Sequence, residues 1–291
     1  MVMIIKNEKA MKKYRYLFKI YYIGKSKYYG SQRQPNFLTI EDEILRALIK
    51  RGYLTNNGDS GFEVASRTDK FVSARGACFT CIIEKNPILM EINSALPKDL
   101  GVWAYSKVPL EFSSRYDAIL RHYLYLYPRS PHNPQNQNSL NLGLMHKACR
   151  KLEGRHNFIN FSKREKKEKT TIRDLESVQL SIKNDFLIFQ FKSRAFLRQQ
   201  IRRIVKKIID LGLGEIEYDE FLELFDPSKN FSYEPANPRG LILWDITYNR
   251  NIFLTEDPKS RMRMESFFLQ KENHFNFKYQ LFRLLQHHDS S

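Results

Sequence analysis

The sequence predicts an α+β fold built on a mixed, mainly antiparallel sheet flanked by helices. Two observations lead there. Both halves of the chain interleave period-two apolar segments with amphipathic segments of period 3.6, and many joins between strands are short enough for antiparallel neighbours. A third observation concerns repetition: no strong short-period repeat is visible, but a duplicated strand-helix-strand plan fits the order of segments.

Taken in order, YRYLFKIYY places Tyr14, Tyr16, Phe18, Ile20 and Tyr22 on one face of a strand, and a loop with Gly24 and Gly30 follows. Thr39 opens a helix, with Asp42 as capping-box partner and Ile40, Ile44, Ala47 and Leu48 as its apolar stripe, and Gly52 closes it. The turn NNGDSG leads into FEVASRTDKFVSARGACFTCIIE, read as strand, loop and strand, and a short helix near Glu91 to Leu96 precedes VWAYSKV and RHYLYLYP. Pro128 to Gln137, rich in Pro, Asn and Gln, is the expected linker between a first half (1–128) and a second (138–250). The second half has a helix from Leu142 to Leu152 stopped by Gly154, then SVQLSIK and FLIFQFKS joined at Asn184-Asp185. A helix from Phe196 to Leu211 and the core strand LILWDITY complete it. The extension 251–291 mixes bases with aromatics from Arg261 onward and is expected to be helical, packed on the body or on another subunit.

The chain has 291 residues, 42% hydrophobic and 27% charged, with 48 Lys+Arg against 32 Asp+Glu. A formal charge of +16 and a pI near 9.6 point to a polyanion, because each phosphate contact by Lys or Arg releases condensed counterions. No run of about 18 apolar residues occurs, and the start MVMIIKNEKAMKKYRY lacks the apolar core of a signal peptide, so a cytoplasmic, non-membrane protein is expected. Cys78, Cys81 and Cys149 are too few and too odd in number for a disulfide scaffold. Cys78 and Cys81 form a C-x-x-C inside a strand, where residues three apart face opposite sides, so no metal site is expected there.

Three clusters could carry chemistry. Ser66, Arg67, Thr68 and Asp69 lie between two strand segments, followed by Lys70, Ser73 and Arg75. Asp69 there is either a nucleophile or base beside positive neighbours, or a turn residue capping a backbone amide. On the Phe196 to Leu211 helix, Arg198, Arg202 and Lys206 fall four apart on one edge of the apolar stripe, with Arg203 and Lys207 more outward. A solvated basic face accounts for Arg203 and Lys207, while Arg202 is the one placed to turn toward a buried carboxylate. Tyr123, Tyr125 and Tyr127 share a strand face beside Arg121, which suits core packing or stacking on a base. The Lys163 to Lys169 run, five bases and two acids, reads as a solvated loop or a phosphate contact. No phosphate-binding glycine loop or zinc-protease motif is present, and His156, His287 and His288 read as structural or surface residues.

Seven segments, in order, resemble the TruA family of tRNA pseudouridine synthases in its archaeal form. YIGKSKYYGSQRQP is similar to the family's Y-x-G...G-x-Q-x-Q-P loop, TIEDEIL to the helix after it, SRTDKFVSARG to the R-T-D signature and INSALPKDL to N-x-x-LP-x-D. FSSRYDAILRHYLYLY is similar to F-x-x-R-x-x-A-x-x-R-x-Y-x-Y, GRHNFINF to G-x-H-D-F-x-x-F and FLRQQIRRIV to F-L-x-x-x-V-R-x-I-V. The first loop has one extra residue between Gly24 and Gly30, Ser31 stands where an aromatic is usual, and Phe71 and Ser73 replace a Gly and a His.

The resemblance implies the pseudouridine synthase fold, with two ferredoxin-like or RRM-like halves, and an isomerase acting on uridines 38 to 40 of the tRNA anticodon stem-loop. It implies a homodimer needing no metal or cofactor, with RNA lying across both subunits. It makes Asp69 the catalytic aspartate, either nucleophile at C1′ or base toward a sugar proton, Tyr123 the active-site tyrosine that stacks on the target uracil or also takes the C5 proton, Arg202 the partner of the aspartate and Arg67 the arginine that helps flip the uridine out of its stack. Arg75, Arg121, Tyr125, Arg198 and Arg203 are the further expected RNA contacts. The alternative is a non-catalytic tRNA-binding or tRNA-folding protein on the same scaffold. A hydrolytic nuclease is disfavoured because no second acidic residue lies near Asp69 in sequence to help hold a metal.

Overall fold

The computed structural model describes residues 13–55, 60–129, 140–164 and 170–286. Four residues of the expected NNGDSG turn, most of the Pro128 to Gln137 stretch and of the Lys163 to Lys169 run, and His287 and His288, lie outside the described residues.

Two units with the same plan form one ten-stranded sheet. The first runs β1 (Tyr14–Tyr22), α1 (Ile40–Lys50), β2 (Glu63–Val64), β3 (Ser73–Ile83), α2 (Leu89–Ala95), β4 (Leu100–Val108). The second runs β5 (Leu120–Pro128), α3 (Leu142–Leu152), β6 (Gly154–Asn157), β7 (Ile172–Lys183), β8 (Phe186–Ser193), α4 (Gln200–Gly212), α5 (Tyr218–Glu223), β9 (Leu241–Thr247). In the first unit β4, β1, β3 and β2 lie side by side in that order; in the second the order is β9, β5, β8, β7, with β6 on the outer edge. Both are built on a β-α-β-β-α-β arrangement with the last strand beside the first, β6 and α5 being additions in the second, which is the ferredoxin-like plan expected from the resemblance. β5 opens the second unit, so the chain crosses between units in 109–119, ahead of the Pro128 to Gln137 stretch.

The units meet where β9 pairs parallel with the start of β3, Ser73 opposite Ile242 and Ala74 opposite Leu243; the other pairings among the described strands are antiparallel. One buried cluster runs through both units, from Phe18, Phe79 and Leu48 to Phe189, Phe191 and Ile204. The seam is therefore held by apolar burial as well as by backbone hydrogen bonds, at about 25 cal/mol per Å² of apolar surface removed from water.

Local signals behave as their chemistry dictates. Thr39 and Asp42 form the reciprocal capping box of α1, and Gly52, at φ +64, ends it. Asn184, at φ +52, turns β7 into β8. The basic helix differs from its expected bounds. Gln199 sits in the left-handed region (φ 58), so α4 begins at Gln200, and 196–199 form a turn that buries Leu197 and sets the Phe196 ring edge-on to Tyr123. Arg198 consequently does not share the helix edge of Arg202 and Lys206.

The extension forms β10 (Thr255–Glu256) against β4 and the long α6 (Pro258–Gln286). Its first turns dock on the body, with Met264 and Phe267 buried against Tyr21 and Trp103, and the Asn93 amide donating to Ser260 at 3.0 Å. From Phe275 onward its apolar side chains are exposed. Among the described residues no helix is long and apolar enough to cross a membrane.

Candidate active site

Asp69 lies in the loop between β2 and β3, and three layers of contact fix that loop. Ala65 joins it to β3, its N–H donating to the Cys78 carbonyl at 2.9 Å. Ser31 grips Thr68 twice: its Oγ accepts from the Thr68 N–H at 2.8 Å, and its own N–H donates to the Thr68 carbonyl at 3.1 Å. The Tyr22 hydroxyl and Thr68 Oγ1 are 2.8 Å apart. The two glycines of the first loop permit this approach. A Cβ at Gly24 would sit 2.2 Å from the Phe71 carbonyl carbon, and one at Gly30 (φ +94) 2.8 Å from the Thr68 carbonyl oxygen. Beyond Asp69 the chain closes a turn, Val72 N–H to the Asp69 carbonyl at 3.2 Å, with Phe71 at φ 70. That is the left-handed conformation a glycine adopts without strain, and it is the position where the family signature has Gly. Here Phe71 holds it while the Arg239 guanidinium stacks 4.0 Å from its ring centroid.

Arg202, 133 residues further on, meets Asp69 across the unit seam. From the first turn of α4 its Nη1 donates to Asp69 Oδ2 at 2.7 Å and its Nε to the Ala236 carbonyl at 2.7 Å. The guanidinium is buried whereas Asp69 is about a third exposed. Among the described residues no hydrogen bond reaches Asp69 Oδ1, so one carboxylate oxygen is paired and the other faces the cleft. Tyr123, on β5, is buried beside it with the Phe196 ring edge-on at 5.3 Å. Burial is the main cause that raises its phenol above the ordinary value of 10.0; Arg121 and a hydrogen bond with Ser66 pull the other way.

Asp69, Tyr123, Arg202, Arg67, Arg121 and Arg198 line one cleft of about 720 Å³. Arg67 is exposed on its wall, and Arg198 on its rim. Arg121 is buried and committed to the protein. Its Nε donates to Ser66 Oγ at 2.7 Å, Nη2 to the carbonyls of Ala65 and Arg115 at 2.8 Å each, and Nη1 to the Arg194 carbonyl. It ties the strand ahead of Asp69 to the turn after β8, which makes it a positioning residue and not a phosphate contact.

Three expected contacts lie elsewhere. Arg75 stacks between Trp103 and Trp244, at 5.4 and 5.0 Å from their centroids. Tyr125 is buried and donates to the Asn237 carbonyl at 2.9 Å, supporting the segment that holds Arg202. Arg203 and Lys207 lie over the Tyr233 ring and are half-buried, not a solvated face, and Lys207 pairs with the buried Asp210 at 3.0 Å. The cleft also gathers Arg115, Arg173 and Lys70. Arg115 stands in the F-x-x-R position of the motif already quoted, so its signal was present; Arg173 had none, because it comes to the cleft through the pairing of β7 with β8, whose end leads into the cleft-lining residues 195–202.

A cleft on a double ferredoxin-like sheet, holding a carboxylate locked to a buried arginine beside a buried tyrosine, defines the pseudouridine synthase class. The family profile for tRNA pseudouridine synthase matches residues 148–249. The chain is 34% identical over 261 residues to tRNA pseudouridine synthase A of Methanosphaera stadtmanae, covering 89% of this chain and 92% of that one. It is also 34% identical over 240 residues to the Pyrococcus furiosus protein of that name (80% and 84%), and 32% over 244 to that of Archaeoglobus fulgidus (84% and 87%). The chain belongs to the tRNA pseudouridine synthase family, a family of isomerases.

Proposed function

We propose that this chain converts uridine to pseudouridine in tRNA, at nucleotides 38 to 40 of the anticodon stem-loop, with Asp69 as the group that acts on the sugar. The observation that carries the reading is the Asp69–Arg202 pair: a carboxylate with one oxygen fixed at 2.7 Å and the other free in a basic cleft. Arg67, exposed on the cleft wall, is placed to fill the gap left in the RNA stack when the uridine swings out. In the nucleophilic route Asp69 Oδ1 bonds to C1′ as the C1′–N1 bond breaks, the electron pair leaving on the uracil. The uracil turns, C5 bonds to C1′ as the ester bond breaks, C5 gives up its proton and N1 gains one. In the other route Asp69 takes the C2′ proton as the C1′–N1 pair leaves on the uracil, giving a C1′=C2′ double bond; C5 of the turned uracil then adds to C1′ as C2′ takes the proton back, and C5 loses its proton while N1 gains one. Both are isomerisations with atoms and electrons balanced, so neither calls for a co-reactant.

Tyr123 serves by stacking. Buried on β5 beside Asp69, with the Phe196 ring edge-on at 5.3 Å, it offers a flat wall for the uracil. We place the enzyme in the cytoplasm as a homodimer, the latter supported by the bare apolar half of α6. Incubation with transcribed tRNA followed by carbodiimide-dependent primer extension tests the reading. The wild type should stop extension at one or more of nucleotides 38 to 40, and Asp69→Asn should abolish the stops. A wild type that binds tRNA in a salt-dependent manner but forms no pseudouridine would instead establish a non-catalytic tRNA-binding protein.

A further inference from the structure

The first loop carries an aromatic ladder with an open end. Phe37 and Tyr29 stack with centroids 4.2 Å apart and planes 23° from parallel. The Lys70 ammonium lies 3.5 Å from the Tyr29 centroid. A phenyl ring on one face of Tyr29 leaves no room there for an ammonium at that distance, so Lys70 occupies the opposite face. Both faces of Tyr29 are thus covered, and the free surface is the outer face of Phe37, whose residue is 46% exposed. Lys70 follows Asp69 in the chain, and Lys70 and Tyr29 both line the cleft. The ladder runs from beside the carboxylate to a bare π surface on the order of 10 Å from the Lys70 ammonium.

The loop is built to hold that ring still. The Tyr29 N–H donates to the Leu38 carbonyl at 2.9 Å, and Gln34 Nε2 donates to the Tyr29 carbonyl at 2.5 Å. Gln34 and Phe37 form a bridge around Asn36, which is in the left-handed region at φ 64. Thr39, two residues on, is the cap of α1. Phe37 belongs to neither buried cluster, so packing does not explain a rigid, exposed phenyl at this place.

We propose that the outer face of Phe37 stacks an unpaired base of the RNA next to the target uridine. This rests on the reading of the cleft as a tRNA site. A nucleobase offers a flat π surface, the cleft that Tyr29 and Lys70 line also carries Arg67 and Arg115 for the phosphates of the same RNA, and a pre-fixed ring binds a base with little ordering cost.

The test uses the full-length protein and tRNA carrying 2-aminopurine singly at each nucleotide flanking the target, with tritium release from C5-labelled uridine as the activity readout. Wild type should quench 2-aminopurine at one flanking position. Phe37→Leu, apolar but without a π face, and Phe37→Ala should lose the quench and weaken tRNA binding about 5- to 50-fold, with the loss in KM exceeding that in kcat; Phe37→Trp should restore both. A Phe37→Leu variant matching wild type in quench and affinity overturns the proposal. So does one whose sedimentation mass falls while its RNA affinity holds, since Phe37 would then contact a second copy. If the wild type quenches through Phe37 but releases no tritium, the stacking stands and the isomerase reading falls.

Discussion

Replacing Arg202 by lysine separates what its charge does from what its shape does. The guanidinium serves two acceptors from two different nitrogens, Ala236 O and Asp69 Oδ2, each at 2.7 Å, while 8% exposed. An ammonium keeps the charge but gathers its donors at one point, so it cannot reproduce the fork. Losing one charge-assisted hydrogen bond to a buried carbonyl costs about 1.5–3 kcal/mol, which for a protein of this size lowers Tm by roughly 2–5 °C. The effect on catalysis is larger, because Asp69 Oδ1 then swings within the cleft, and a misplacement of about 1 Å costs on the order of 100-fold. Single-turnover tritium release should therefore show kcat down about 100-fold in Arg202→Lys, with tRNA affinity changed less than about threefold because net charge is conserved. A variant with kcat within about threefold of wild type would refute the claim that two-point fixation of Arg202 orients the carboxylate.

Three other substitutions probe the scaffold. Arg121→Met strands the carbonyls of Ala65, Arg115 and Arg194 and should destabilise by at least about 3 kcal/mol in urea unfolding; less than about 1 would mean those groups find other donors. Gly30→Ala places a Cβ 2.8 Å from the Thr68 carbonyl at a φ of +94, so it should cost about 1–2 kcal/mol and, by shifting the Asp69 loop, lower kcat about 100-fold; full activity would dissociate the loop from the chemistry. Burial, and after it Lys192, hold the His122 imidazole below its ordinary value, partly offset by Asp245. The unfolded chain takes up the proton first as pH falls, so this stability is complete above about pH 6.5 and lost below it. Thermal unfolding between pH 7 and 5 should flatten in His122→Phe, and an unchanged slope would place the pH dependence elsewhere.

What the sequence made legible follows from how local each signal is. The capping box of Thr39 and Asp42, the Asn184 turn and the period-two strands depend on neighbours within a few residues, and each appears where its pattern puts it. Arg202 was legible by its border position on an amphipathic helix. Arg198 lines the cleft as expected, but its place off the helix was not legible, because the left-handed Gln199 accompanies the burial of Leu197 and the edge contact of Phe196 with Tyr123, a tertiary demand. Arg121 was misjudged for a related reason: an arginine beside a tyrosine stripe looks the same in sequence whether its donors meet phosphate or three backbone carbonyls. Arg75 likewise sits one residue from a strand position that pairs with β9, yet its side chain goes to Trp103 and Trp244.

The surplus of +16 therefore divides by burial. Arg121 and Arg202 are spent inside, one fixing the approach of the chain to Asp69 and the other fixing the carboxylate itself, and neither is available to a phosphate. Arg67, Arg115 and Lys70 line the same cleft, where the proposed function has them meet the RNA. The division coincides with the duplicated fold. The carboxylate comes from the first unit and its arginine from the second, and they meet only because β9 closes beside the start of β3. Neither unit alone would hold a paired carboxylate in a basic cleft, so a site this dependent on the seam should lose activity before it loses fold when the seam is loosened. Leu243→Ala, at a fully buried position of the strand that makes the seam, is the variant that applies the loosening most directly: about 2–5 kcal/mol of lost packing, with tritium release failing at a lower urea concentration than the far-UV signal. Coincident loss of both would mean the two units and their site unfold as one.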